Sequence, residues 1–287
     1  MAIRIAVVGS LNHDLTVFVP HRPGRDETLH CQDMKEFRGG KGSNQAVAAA
    51  RMGASVTMIG CVGDDARAEF LLDGLELDGV DHSYVKTVEA PTGLALITVD
   101  PEDVSIVLVS GANALLDAKH VRAAKSKIVE ADVLLLQGEV SAEASKEAAL
   151  IAASAGTLVI YNPAPFTESA KELAILADIL VVNSFEAEQL GDTETNVVVK
   201  TLGSDGCEVW VGGEKTSIAA PAVGVVDPTG AGDAFLGAFA VSLIDAKNPV
   251  IAASIAVAAG AYSVTVAGAQ PSFPTQDDIA DLLKGKS

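Results

Sequence analysis

Cysteine is scarce in this chain. Its 287 residues hold only Cys31, Cys61 and Cys207, an odd number with no CxxC spacing. That excludes a disulfide framework and a thiolate zinc site, and it fits a reducing compartment. Aromatic residues make up 4%. Basic residues are outnumbered, 20 Lys and Arg against 38 Asp and Glu, for a net charge of −18. No Lys/Arg stripe forms, so neither nucleic acid nor an anionic membrane is an expected partner. Any phosphate site must then be built locally, from backbone amides and a few cations. No apolar run reaches bilayer length. The longest Ala/Val-rich stretch, Val250 to Val266, is interrupted by Ser254, Gly260, Tyr262 and Ser263 and reads as a buried helix. The segment Ala2 to Gly9 is too short and too β-like for a secretory signal. The expectation is a cytoplasmic protein.

What the chain does have is aliphatic residues. It is 49% hydrophobic, mostly Ala, Val, Leu and Ile, as in parallel strands buried between helices. Short apolar runs occur at Ile3–Val8, Val56–Cys61, Val133–Leu136, Leu158–Tyr161, Ile179–Val182, Val197–Lys200 and Cys207–Val211. Helical patterns lie between them, near Asn44–Met52, Ala66–Leu77, Ala118–Glu130, Ala142–Ala155 and Lys171–Ala177. This alternation predicts right-handed βαβ units and an α/β fold, a three-layer α/β/α sandwich with a mostly parallel central sheet. Two regions break the rhythm. Leu15 to Phe37 has strand-like pieces at Thr16–Val19 and Thr28–Cys31, and Thr92 to Val109 reads as a hairpin of Gly93–Val99 and Val104–Val109. Together they predict a small β-sheet lid, segments about 15–37 and 92–109, inserted in one domain spanning 1–287. Long surface loops are the plainer alternative.

The segment Asp227-Pro228-Thr229-Gly230-Ala231-Gly232-Asp233 carries the most chemistry. A glycine-rich turn runs into an apolar helical pattern, Phe235, Leu236, Phe239 and Leu243. The N–H groups of a first helical turn lack intrahelical partners and sit at the positive end of the helix dipole, so the turn suits an anion. A carboxylate at Asp233 would repel a phosphate that only bound there. It makes sense as a base that takes the proton of an attacking hydroxyl, which reads as phosphoryl transfer to an alcohol. The bland reading is a capped helix after a turn.

Polar motifs also follow other strand-like runs. Asn12 and Asp14 lie beyond Ile3–Val8, where ligands of open α/β sheets bind, and Asp14 is a good bidentate acceptor for sugar hydroxyls. Capping is the alternative role. His13 would point away from both in an extended segment, and it is assigned none. Gly39-Gly40-Lys41-Gly42-Ser43-Asn44-Gln45 precedes an Ala-rich helix and lacks the Walker spacing. Asn44 there offers both a donor and an acceptor for vicinal hydroxyls. Gln137-Gly138-Glu139, Asn183-Ser184-Phe185-Glu186 and Thr201-Leu202-Gly203-Ser204-Asp205-Gly206 end further runs. Several such endings on one sheet edge imply a crevice for a small molecule.

In this order, and joined by Ser110-Gly111-Ala112-Asn113-Ala114, Asn162-Pro163-Ala164-Pro165 and Gly268-Ala269-Gln270-Pro271-Ser272, these motifs resemble the ribokinase-like (PfkB) carbohydrate kinases across nearly the whole chain. Segments 39–53 and 227–240 fit the two family signatures. The resemblance implies transfer of the γ-phosphoryl group of ATP to a primary hydroxyl of a pentose, D-ribose first among acceptors. Another sugar or a nucleoside, or a catalytically silent sugar-binding regulator, are the alternatives. It also implies roles. Asp233 is the general base, and the amides of Gly230, Ala231, Gly232 and Asp233 form the anion hole. Asn12, Asp14, Gly40, Lys41, Asn44 and Glu139 hold the sugar together with Asp233. Asn183, Thr201, Gly203, Ser204, Gly206 and Gly232 line the nucleotide side. Glu186 acts on Mg²⁺, through water. Asp227, Thr229, Ser263, Val266, Gly268 and Ser272 match the positions of an activating K⁺. Relatives often dimerise through the lid. They also usually insert a further helix where this chain has only residues 191–196, so the resemblance implies a missing crossover before Val197 and leaves open which strand it pairs with.

Overall fold

A computed structural model describes residues 2–284. Its thirteen strands are β1 (Arg4–Val8), β2 (Asn12–Phe18), β3 (Asp33–Gly39), β4 (Ser55–Val62), β5 (Asp81–Thr87), β6 (Gly93–Val99), β7 (Val104–Val109), β8 (Val133–Leu136), β9 (Leu158–Tyr161), β10 (Ile179–Asn183), β11 (Val197–Thr201), β12 (Cys207–Val211) and β13 (Glu214–Ile218). The helices are α1 (Lys41–Arg51), α2 (Ala66–Leu77), α3 (Ala118–Ala123), α4 (Lys125–Glu130), α5 (Ala142–Ala155), α6 (Ala170–Ala174), α7 (Ser184–Leu190), α8 (Ala231–Ala246), α9 (Pro249–Ser263), α10 (Ala269–Ser272) and α11 (Ala280–Lys284).

Nine strands form the central sheet in the order β13-β12-β11-β10-β9-β8-β1-β4-β5. All pairs from β5 through β11 are parallel, and β12 and β13 add an antiparallel edge. The strands are apolar on both faces because both faces are covered. Ile5 and Val7 join one core with α1, α8 and α9, whereas Ala6 and Val8 join a second core with α3, α5 and α6. The expected three-layer α/β/α sandwich is therefore present. Among the described residues no helix is long and apolar enough to cross a membrane.

Strand β1 lies between β4 and β8, so the chain winds outward in both directions from that point. The carboxyl ends of β1 and β8 thus open on a topological switch point, the usual place for a crevice in such sheets. The four-stranded second sheet, β3-β2-β6-β7, is rooted there. Its first register pairs Asn12 with both Gly39 and Gly93, four residues beyond the end of β1.

Several local expectations move. Thr28–Cys31 is irregular, and the strand is β3, with Asp33, Lys35 and Glu36 exposed. A charged segment earns no strand signal from its own pattern. It pairs because β2 presents a complementary edge. Strand β2 begins at Asn12 rather than Thr16, so Asn12 and Asp14 stand on a strand and not in a loop. The helical run 118–130 is two helices meeting at Ala124. Strands β5 and β13 carried no recognised signal. The short connection at 191–196 removes no crossover: α7 supplies it, and β11 pairs in parallel with β10, Ile179 facing Val197.

Candidate active site

Helix α8 starts after a turn that only glycine makes cheaply. Gly230 has φ +81°, and a Cβ there would lie 2.8 Å from that of Ala269 and 2.9 Å from the Phe273 ring. The Ala231 N–H closes onto the Pro228 carbonyl at 3.2 Å, and the Ala234 N–H begins the helical ladder on Gly230 at 2.8 Å. Gly232 and Asp233 follow in the first turn. Asp233 is 5% exposed. Its two oxygens are held by consecutive residues of α1: Asn44 Nδ2 donates to Oδ2 at 3.0 Å, and Gln45 Nε2 donates to Oδ1 at 3.0 Å. The plain capping role does not describe this carboxylate, because its hydrogen bonds go to another helix.

Beside it lies a second polar cluster. Glu139 Oε2, just past β8, accepts from Ser10 Oγ at 2.5 Å, the Lys41 N–H at 3.1 Å and Asn12 Nδ2 at 3.3 Å. Asn113 fixes which way Asn12 faces. It donates to Asn12 Oδ1 at 2.7 Å and exchanges bonds with both backbone groups of Leu11. The Asn12 amide N–H₂ is left to point at Glu139. Asp14 is buried, and its carboxyl is pushed up to about 7 by burial and by the charges of Glu139 and Asp233, against the opposing pull of Lys41. Burial works against the charge on Lys41, but Asp233, Glu139, Glu186 and Asp14 outweigh it and raise its pKa above the ordinary lysine value. An open cleft of about 360 Å³ adjoins the cluster, with Asn12, Asn113 and Glu139 on its polar wall and Leu108, Val140 and Pro165 among its apolar ones.

On the far side, Asn183 and Glu186 form a capping box on α7. Asn183 Oδ1 accepts from the Glu186 N–H at 2.8 Å, and Glu186 accepts from the Asn183 N–H at 2.8 Å and from Nδ2 at 2.9 Å. Burial, the leading cause, raises the Glu186 pKa. Thr201 ends β11, and Gly203, Ser204 and Gly206 form the turn after it, closed by Leu202 N–H on Gly206 O at 2.8 Å. The Asp227 carboxylate accepts from the Thr229 N–H at 2.9 Å and the Gly268 N–H at 2.8 Å, tying the turn before α8 to the one before α10. These bonds outweigh burial and lower its pKa. Ser263 and Ser272 are buried nearby, their hydroxyls donating to Gly260 and Ala269 carbonyls. Val266 is exposed in the same turn region. Hydrogen bonds thus join Asn44 to Asp233 and join Asn12 and Lys41 to Glu139, while Asn183 with Glu186, the turn at 203–206, and Asp227 with Gly268 are each bonded within their own groups.

Residues 2–276 match the pfkB family carbohydrate kinases. The chain belongs to that family. A ribokinase from Haemophilus influenzae is 37% identical over 300 residues, 98% of each chain. A deoxyribokinase from Salmonella typhi is 32% identical over 301 residues, covering 97% of this chain and 98% of its own. Among solved structures, Arabidopsis thaliana ribokinase complexed with ribose and ATP superposes with a TM-score of 0.91 at 31% identity, covering 99% of both chains. The protein is thus a carbohydrate kinase, a phosphotransferase with an alcohol acceptor.

Sequence reasoning gave no role to Gln45, Asn113, Gln137 and Gln270, which the structure brings to the site. All four stood inside polar motifs singled out from the sequence. A buried amide within a motif, next to residues already assigned, was the available signal.

Proposed function

We propose that this kinase transfers the γ-phosphoryl group of ATP to the primary hydroxyl of D-ribose, giving ribose 5-phosphate. The observation that carries the reading is the buried Asp233 carboxylate at the start of α8, beside the polar set of Asn12, Asp14 and Glu139. Ribokinase relatives along the full chain, one solved with ribose and ATP, support acceptor and donor alike. The deoxyribokinase relative makes deoxyribose the second acceptor to test.

In this reading Asn12, Asp14, Gly40, Lys41, Asn44 and Glu139 hold the sugar hydroxyls. Asp233 removes the proton of the attacking hydroxyl. The N–H groups of Gly230, Gly232 and Asp233 receive the charge that develops on the transferring group, whereas the Ala231 N–H, turned onto the Pro228 carbonyl, would have to leave it to join them. Asn183, Thr201, Gly203, Ser204 and Gly206 line the nucleotide side. Glu186 orients Mg²⁺ through water; each of its oxygens keeps a lone pair beyond the capping box, so the residue fits. Bound Mg²⁺ neutralises phosphate charge. Asp227, Thr229, Ser263, Val266, Gly268 and Ser272 accommodate K⁺. The two serine hydroxyls donate inward and leave oxygen lone pairs to accept a cation, so this set fits as well. With the ion bound, these residues would be drawn together and would brace the turn before α8. The chain acts as one kinase domain, 1–287, in the cytoplasm. Its smaller sheet closes over the sugar as a lid and joins two copies into a homodimer.

ADP release measured across pentoses, hexoses and nucleosides, with and without K⁺, tests the assignment. Ribose should give the highest kcat/KM, and K⁺ should raise it. Asp233→Asn should lower kcat by roughly 10²–10⁴-fold while ribose still binds. Near-native turnover in that variant would remove Asp233 as the base.

A further inference from the structure

The Asp233 carboxylate does not choose its neighbours' orientation alone. An ionised carboxylate only accepts, with about four lone-pair sites on its two oxygens. Asn44 and Gln45 must therefore turn their N–H₂ groups toward it, which sends their amide oxygens outward. Each of those oxygens meets another amide donor. Gln137 Nε2, past the end of β8, donates to Gln45 Oε1 at 2.7 Å. Gln270 Nε2, in α10, donates to Asn44 Oδ1 at 3.2 Å and to Ser43 Oγ at 3.0 Å. All four amides are buried. The polarity runs one way along each arm, from the outer glutamine through the inner amide to the carboxylate.

One arm shows a cost. Gln137 Oε1 is buried without a hydrogen-bond partner, although turning its amide over would exchange the two ends. A buried acceptor left unpaired loses its water without replacement, which destabilises the fold. It persists here because the opposite orientation would set Gln137 Oε1 against Gln45 Oε1, or turn Gln45 and set its oxygen against Asp233. A local rule broken beside a reacting group points to a functional constraint.

We propose that Gln137, acting through Gln45, is a positioning residue that locks the direction of the Asp233 carboxylate, with Gln270 and Asn44 doing the same for its other oxygen. Neutral amides suit the task. They fix the plane of the carboxylate without adding a further charge beside it, and they leave lone pairs for the acceptor hydroxyl. The inference rests on Asp233 being the base.

A double-mutant cycle on kcat tests it, using Gln45→Met, Gln137→Met and both together, since methionine matches glutamine in length and removes its polarity. Gln45→Met should lower kcat roughly 10–100-fold, because misplacing a reacting group by about 1 Å costs that order. Gln137→Met should lower it roughly 3–10-fold with KM for ATP unchanged, a loss tied to the reacting step rather than to binding. Added to Gln45→Met, it should do nothing more, because its action passes through that side chain. Gln137→Asn, whose amide is too short to reach, carries the same expectation if the thioether prevents folding. Additive losses, or unchanged kcat in a folded Gln137 variant, overturn the proposal. Asp233→Asn separates the two readings. If it keeps turnover, base and relay fall together. If it is inactive while the Gln137 variants are unaffected, only the relay falls.

Discussion

Asp14 keeps its proton to about pH 7 in the folded chain, far above an ordinary carboxyl near 3.8. Burial is the main cause, and Glu139 and Asp233 add like charge. Between about pH 4 and about 7 the folded chain therefore holds a proton that the unfolded chain releases, so stability falls as pH rises through that window. Asp14→Asn removes this burden. Without ligand at pH 8 it should gain on the order of 2–4 kcal/mol over the parent, and no gain should remain near pH 4. Urea unfolding at both pH values measures the difference, and a gap independent of pH would sink the account. The same variant should bind ribose poorly, because an ionised Asp14 is the better acceptor for sugar hydroxyls. Binding energy then offsets the strain of ionising a carboxyl inside an acidic crevice.

At the scale of elements, the site depends on how closely α1 and α8 approach. Asn44 and Gln45 stand on one helix and Asp233 on the other. Gly237, one turn further along α8, sets the spacing. A Cβ there would lie 2.6 Å from the Ala49 nitrogen and 2.8 Å from the Ala48 carbonyl carbon. Alanine improves helix propensity by about 1 kcal/mol, but the clash is with backbone, which cannot swing aside. Gly237→Ala should therefore destabilise by roughly 1–3 kcal/mol. It should also lower kcat, because pushing the helices apart pulls Asp233 from its amides. A variant more stable and equally active would show that the two helices yield freely. Helix spans such as 66–77 and 142–155 were legible from the apolar pattern, and the structure adds Asp65 and Ser141 as their caps. The close contact at Gly237 was not, because a helical glycine alone does not name its neighbour.

For the whole molecule, the edge strand β7 leaves Ile106 56% and Val107 61% exposed, beside exposed Val104, Leu108 and Val109. Among the described residues no strand pairs with its outer edge. An apolar open edge invites another strand, which supports dimerisation through the lid. Ile106→Lys should shift the protein from dimer to monomer in sedimentation velocity at micromolar concentration. A parent chain that sediments as a monomer throughout would dispose of the dimer. By itself the sequence determined the layered α/β plan and the turn before Asp233, because strand burial, helix periodicity and turn chemistry depend on near neighbours along the chain. Only the tertiary structure decided that β3 would be a strand, that Asp14 would keep its proton, and that Gln137 and Gln270 would meet the amides around Asp233. The first arises from pairing with β2, 15 to 27 residues away, and the others where segments about ninety or more residues apart pack together, and their energies come from shared burial and charge that no single segment carries.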